Sequence, residues 1–296
     1  MVGGIERGPR PHHVMTLVDV NGARLSFRLQ GEGPALLLLH GFTGSSAMWT
    51  PHLAAFEGFT IVAVDLLGHG DSDAPPTPSR YGMERCVDDL TSLLDHLEIK
   101  RAAVLGYSMG GRVALQFALR APDRLWALVL ESASPGIEDA AEREDRVRSD
   151  GALADEIERS GMTAFVDRWQ ALPLFASQGR LSAAVREELR RQRLRNSIAG
   201  LANSLRGAGA GQEAPVLGRL GEIRVPTLLI AGALDQKYVA LARKMSDALP
   251  CARTQIVPEA GHATHLEQPE AFDRAVGEFL RAHNDAREGK EAPPCQ

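Results

Sequence analysis

Ser108 lies in Gly106-Tyr107-Ser108-Met109-Gly110, a G-x-S-x-G pattern extended by Gly111. A serine hydroxyl is a poor nucleophile or base at neutral pH unless an imidazole takes its proton. The motif follows the apolar run Ala102–Tyr107 and precedes the helical pattern Met109–Ala121, the strand–turn–helix setting that it requires. Small residues flank the serine where a side chain would collide in so tight a turn. The serine is then presented at a helix N-terminus, where backbone N–H groups favour developing negative charge.

The base should come from a loop after a late strand. Gly261-His262 follows Thr254–Val257, and the glycine permits close approach; His265 is the competitor. The residue orienting the base should follow the strand before that, and Asp235 closes Leu228-Leu229-Ile230-Ala231-Gly232-Ala233-Leu234. Glu131, at the end of Leu125–Glu131, is the alternative acid. The order Ser108, Asp235, His262 is the chain order of α/β-hydrolase triads, in which the acid fixes the imidazole tautomer. His40-Gly41-Phe42-Thr43-Gly44 offers a second element: the Phe42 N–H, with that of Met109, would form an oxyanion hole. His40 itself reads as a loop brace. Asp65-Leu66-Leu67-Gly68-His69-Gly70-Asp71-Ser72 reads as a structural turn, its Asp65 and His69 without direct chemistry.

These loops need an open sheet to hold them. Strands are expected at Val14–Val20, Arg24–Leu29, Ala35–His40, Thr60–Asp65, Ala102–Tyr107, Leu125–Glu131, Thr227–Gly232 and Thr254–Val257. Asn21-Gly22 between the first two is a hairpin signal. The later runs are apolar throughout, as for parallel strands covered on both faces. Helices are expected at Arg85–Leu97, Met109–Ala121, Lys237–Ala248 and Pro269–His283. This is an α/β fold, an α/β-hydrolase core with a mostly parallel eight-stranded sheet. Between about Gly136 and Gly221 the rhythm breaks into Arg-, Glu-, Ala- and Leu-rich helical sequence. The expected division is a core of residues 14–136 and 221–284, a helical lid at 137–220, and flexible termini at 1–13 and 285–296.

The 296 residues are 44% hydrophobic and 24% charged, with a net charge of −5. That balance fits a soluble globular chain and argues against a general partner role for nucleic acid or anionic membrane. No run approaches the ~20 apolar residues of a membrane helix, and no signal-peptide pattern opens the chain. Cys86, Cys251 and Cys295 are scattered, without metal-ligand spacing, and read as idle thiols; no metal site is expected and the cytoplasm is the expected compartment.

Beyond the triad, four segments carry a resemblance: Gly106-Tyr107-Ser108-Met109-Gly110-Gly111-Arg112, Glu131-Ser132-Ala133-Ser134-Pro135-Gly136, Trp169-Gln170-Ala171-Leu172-Pro173-Leu174-Phe175 and Leu194-Arg195-Asn196. From about Val14 to Leu280 the chain resembles the menaquinone-pathway synthases of 2-succinyl-6-hydroxy-2,4-cyclohexadiene-1-carboxylate. The resemblance implies a lyase that eliminates pyruvate from 2-succinyl-5-enolpyruvyl-6-hydroxy-3-cyclohexene-1-carboxylate without metal or organic cofactor. It also implies catalytic roles for Ser108, Asp235 and His262, and substrate contacts from Tyr107, Arg112, Arg143, Trp169 and Arg195. A small-molecule tricarboxylate suits guanidinium forks, and Arg112 stands one helical turn beyond Ser108. Arg146 is the nearby rival of Arg143, and Trp169 is either lid core or a wall against the substrate ring. Two other functions remain open on the same fold: a carboxylesterase or carbon–carbon bond hydrolase using this triad, and a non-catalytic ligand receptor.

Overall fold

The computed structural model describes residues 15–287. The segments 1–13 and 288–296 of the expected termini lie outside them. Asn21 and Gly22 both take positive φ, 49° and 82°, the type I′ geometry that lets strand β1 (Met15–Val20) fold back on β2 (Ala23–Gln30). Six further strands follow: β3 (Ala35–Leu39), β4 (Thr60–Asp65), β5 (Ala102–Tyr107), β6 (Leu125–Glu131), β7 (Thr227–Gly232) and β8 (Ala252–Val257). They form one sheet in the order β1-β2-β4-β3-β5-β6-β7-β8. Pairing is antiparallel from β1 through β2 to β4 and parallel from there on.

Alternation decides which layer each side chain joins. On β3, Leu37 and Leu39 pack with helices α1 (Met83–His96) and α2 (Met109–Arg120), whereas Leu36 and Leu38 face the opposite layer. That second layer holds Trp49 and Phe56 of the 3₁₀ segment Ser46–Phe56 and Phe272, Val276 and Leu280 near the chain's end. Five strand boundaries differ from the sequence reading by one or two residues. The last helix, Pro269–Arg287, runs past the expected end at His283.

Between β6 and β7 the chain forms α3 (Ala140–Gln170, interrupted at Gly161 with φ 77°), a 3₁₀ segment (Pro173–Arg180), α4 (Ala183–Leu194) and α5 (Ile198–Ala208). Ala154, Ile157, Phe165, Val166, Leu201 and Leu205 give these helices a small core of their own. Departure and return are pinned together, the Val216 N–H donating to the Pro135 carbonyl at 2.7 Å. After β7, α5 is followed in chain order by α6 (Gln236–Ala248), which joins the α1/α2 layer through Val239, Ala242 and Met245. No helix among the described residues is long and apolar enough to cross a membrane. Cys86 is a free thiol, but Cys251 is disulfide-bonded and so is not the idle thiol expected.

Candidate active site

The turn after β5 holds Ser108 at φ 50°, ψ −107°, a conformation that a non-glycine residue adopts only when its surroundings enforce it. They do so from three sides. A Cβ at Gly106 would collide with the Gly110 carbonyl, and one at Gly110 would meet the His40 carbonyl at 2.6 Å. At Gly41 a Cβ would stand 2.7 Å from the Tyr107 ring. The Ser108 N–H donates to the Glu131 carbonyl at 2.8 Å, tying the turn to the neighbouring strand.

Three loops at the carboxyl ends of β5, β7 and β8 meet here. His262 Nε2 lies 3.0 Å from Ser108 Oγ, and its Nδ1 lies 2.8 Å from Asp235 Oδ2. The other oxygen of Asp235 accepts the Tyr238 N–H at the start of α6, at 3.4 Å, so both sides of the carboxylate are engaged. Glu267 grips the histidine loop, accepting the N–H groups of Gly261 at 2.8 Å and Ala263 at 3.3 Å. Tyr238 and Phe175 meet the His262 ring edge to face, with centroids 4.5 and 6.1 Å away. His262 is only 2% exposed. The arrangement lets the serine pass a proton to an imidazole whose tautomer and orientation are set by a carboxylate.

The sequence rivals are occupied elsewhere. Glu131 and His265 pair with each other, Oε2 to Nδ1 at 2.8 Å, instead of joining the triad. His40 braces its loop: Nε2 accepts the Leu66 N–H at 3.0 Å, and burial lowers its pKa to about 4. His69 is lowered to about 3, by burial and then by His40 beside it. Asp65 holds its turn by accepting the N–H groups of Ser46 at 2.6 Å and Asp71 at 3.0 Å.

Ser108 and His262 open onto a cavity of about 260 Å³, also lined by Phe42, Met109, Tyr107 and Trp169. Burial, and next the charge of Glu131, pushes the Tyr107 phenol well above its usual range. Trp169 belongs to the core of the insertion and also lines the cavity. It packs on Phe165, and its buried indole N–H has no partner among the described residues. Arg112 borders the cavity, with Nη1 donating to Glu213 at 2.6 Å and Nη2 to the Ala208 carbonyl at 2.9 Å. Two of its five donors thus hold the guanidinium plane against the segment that follows α5.

Two expected arginines are not brought to the cavity. Arg143, in the first turn of α3, turns back to the carbonyls of Ile137 and Glu138 at 2.9 and 2.7 Å. Arg146, one turn further, borders the cavity and donates to Asp150 at 2.8 Å. Arg195 caps the end of α4, 69% exposed and 3.1 Å from Asp71. Arg193, two positions earlier and so on another helix face, is buried with its guanidinium 5.5 Å from the Phe175 ring. Lys237 and Tyr238 at the head of α6 also line the cavity and were not foreseen. Their signal was the Asp235-Gln236-Lys237-Tyr238 sequence at a helix start, where the first turn must face the same end of the sheet as the acid.

Comparison with known proteins decides the family. The alpha/beta hydrolase fold model matches residues 34–269. A Bacillus subtilis protein named putative 2-succinyl-6-hydroxy-2,4-cyclohexadiene-1-carboxylate synthase is 45% identical over 258 residues, covering 86% of this chain and 94% of its own. The chain belongs to that synthase family, on the alpha/beta hydrolase fold. A Serratia proteamaculans synthase of the same name is 34% identical over 85% of this chain and 95% of its own. Among solved structures, MenH from S. aureus superposes with a TM-score of 0.84 at 34% identity, covering 87% of this chain and 98% of that one. Membership in the synthase family favours neither the hydrolase nor the receptor reading.

Proposed function

We propose that the protein eliminates pyruvate from 2-succinyl-5-enolpyruvyl-6-hydroxy-3-cyclohexene-1-carboxylate to give 2-succinyl-6-hydroxy-2,4-cyclohexadiene-1-carboxylate. The observation that carries this reading is a Ser–His–Asp relay opening onto a cavity bordered by Arg112, Arg146 and Lys237. An esterase acting on neutral acyl groups has no use for three cations around its serine. A substrate with three carboxylates does.

In this mechanism His262 draws the proton from Ser108, and the serine oxygen removes the ring proton alpha to the succinyl ketone. The electron pair moves through the ring and expels the enolpyruvyl oxygen; the leaving enolate takes up a proton and becomes pyruvate. The proton acquired by His262 is available for that step. In this reading the N–H groups of Phe42 and Met109 receive the enolate charge that develops on the ketone oxygen, a kind of contact worth about 3–4 kcal/mol where one such donor has been removed. Arg112 and Arg146 hold carboxylates while Tyr107 and Trp169 wall the ring. Proton transfer by a positioned residue contributes about 10²–10⁴-fold, with positioning and electrostatics supplying much of the rest.

The helical segment 137–220 acts as a lid over the core of residues 14–136 and 221–284, and contributes Arg146 and Trp169 to the cavity. The reaction needs no metal or organic cofactor, and we place it in the cytoplasm. The test is pyruvate release from the enolpyruvyl substrate by wild type and Ser108→Ala. Loss of at least about 100-fold in kcat is expected; a wild-type rate in the variant would remove the serine from the mechanism. Efficient turnover of short p-nitrophenyl esters without pyruvate release would return the protein to the hydrolases.

A further inference from the structure

Two of the three cations that border the catalytic cavity are each gripped by a buried carboxylate. Arg112 Nη1 donates to Glu213 Oε1 at 2.6 Å, and Arg146 Nε donates to Asp150 Oδ1 at 2.8 Å. The Glu213 and Asp150 side chains are only 7% and 6% exposed. Lys237, the third cation, has no ion pair among the described residues. An acid beside a carboxylate-binding site weakens the attraction for an incoming anion, so two of them there call for a role other than charge.

That role follows from the donors they take. The Arg112 guanidinium is fixed at two points, by Glu213 and by the Ala208 carbonyl at 2.9 Å. Asp150 takes Arg146 by its Nε, and among the described residues no acceptor meets either Nη group. Asp150 Oδ2 is buried without a donor of its own, so hydrogen bonding by this side chain goes to Arg146 alone among those residues. Both grips converge on the turn 208–213 that follows α5. There the Gly209 N–H donates to the Leu205 carbonyl at 3.0 Å and the Gln212 N–H to the Gly209 carbonyl at 2.9 Å. Ala208 and Glu213 hold Arg112 from the two ends of the turn, and Asp150 packs on its middle. A Cβ at Gly209 would stand 2.5 Å from Asp150 Oδ2, so the turn carries a glycine where the acid of α3 comes close.

We propose that Glu213 and Asp150 are positioning residues for the pyruvate elimination: gathered at one turn, they fix the guanidinium groups of Arg112 and Arg146 at the cavity before substrate arrives. The proposal rests on the carboxylate-substrate reading above and adds to it two residues that act only through their arginines. A long, flexible side chain that its ligand must order costs about 3- to 10-fold in affinity, and a partner already in place removes that cost.

The test is a double-mutant cycle on each pair, read by pyruvate release. Glu213→Ala and Asp150→Ala should each raise KM about 3- to 10-fold and keep kcat within about 2-fold of wild type. In the Arg112→Ala background Glu213→Ala should cost nothing more, and Asp150→Ala should cost nothing more in the Arg146→Ala background. Glu213→Gln keeps an acceptor for Nη1 and should recover most of the lost affinity. An acid with a merely structural role would lower the urea midpoint and add its loss to that of the arginine. Where an alanine variant does not fold, Glu213→Met and Asp150→Leu fill the same space without an acceptor and take its place in the cycle. Additive losses, or a wild-type KM in both single variants, would overturn the proposal. A wild-type protein that released no pyruvate would defeat the proposed reaction instead. Calorimetric titration with succinate then runs the same cycles without turnover: a loss of affinity seen only while the arginine is present supports the positioning role, and unchanged affinity overturns it.

Discussion

Glu131 and His265 form a fully buried pair, Oε2 to Nδ1 at 2.8 Å, which takes the second-choice acid and the second-choice base of the sequence out of the catalytic relay together. The same carboxylate accepts the Thr264 hydroxyl at 2.6 Å and the His265 N–H at 3.0 Å, while the Glu131 backbone carbonyl accepts the Ser108 N–H. One residue thus holds the nucleophile turn with its main chain and the histidine loop with its side chain. Removing one member of a buried, hydrogen-bonded pair costs about 3–5 kcal/mol. Glu131→Gln should therefore lose about that much stability in urea unfolding. Asp235→Asn should behave in the opposite way, with a small change in stability and a fall in kcat on the order of 10⁴-fold through the wrong imidazole tautomer. If Glu131→Gln lost activity that strongly while its stability was untouched, the assignment of the two acids would be reversed.

The same pair shapes the response to acid. Burial alone would raise the Glu131 carboxyl, but the charge of His265 and the hydrogen bonds from His265 and Thr264 outweigh it and hold the pKa below 4.5. A carboxyl whose folded pKa is depressed stabilises the fold above its unfolded value and loses that contribution as pH falls through the folded one. Urea midpoints measured from about pH 5 down to pH 3 should therefore fall more steeply for wild type than for Glu131→Gln. Parallel curves would mean that Glu131 gains nothing from its ionised state.

Cys86 offers a test of burial rather than of charge. Burial, and next the charge of Asp89, pushes its thiol up to about 12, with Arg80 opposing. The thiolate is the reactive form. Native protein should leave Cys86 unlabelled by iodoacetamide at about pH 8, and urea-unfolded protein should label it promptly. Cys86 is half-buried, so rapid labelling of the native protein, located by peptide mapping, would show that its exposed part and a lower thiol pKa admit the reagent.

Strands β4, β5, β6 and β7 could be read to the residue because continuous apolar runs end sharply at polar or glycine positions. The triad was legible for a related reason: Ser108 directly follows such a run, Asp235 and His262 lie in the short loops after β7 and β8, and the sheet carries all three to one edge. The fork between Asp235 and Glu131 was harder, since both end parallel strands. Only the side-chain direction of the helix-capping Asp235 against the inward Glu131 separates them. Arg143 and Arg195 were named from the resemblance, and composition marks the insertion as helical without fixing which of its arginines line the cavity. Arg143 and Arg146 are neighbours on one face of α3, but the earlier one donates to the Ile137 and Glu138 carbonyls ahead of the helix. The i, i+4 pairing of Arg146 with Asp150 was the available clue.

That difference in partners gives the sharpest mutational contrast. Arg146 borders the cavity, whereas Arg143 bonds only to the backbone that enters α3. A hydrogen bond to a charged group contributes about 1.5–3 kcal/mol, or roughly 10- to 150-fold in binding. Arg146→Ala should therefore raise KM for the enolpyruvyl substrate by roughly that factor, and Arg143→Ala should leave KM within about 3-fold of wild type. The same contrast holds at the other end of the insertion, where Arg195→Ala removes only an exposed pair with Asp71, of the kind worth about 0–1 kcal/mol. Arg112→Lys should resemble Arg146→Ala even though the charge is kept. A lysine cannot reach Glu213 and the Ala208 carbonyl while presenting a flat two-point face to a carboxylate. Equal effects from Arg143→Ala and Arg146→Ala would mean that α3 turns when substrate binds, bringing the earlier arginine into the cavity.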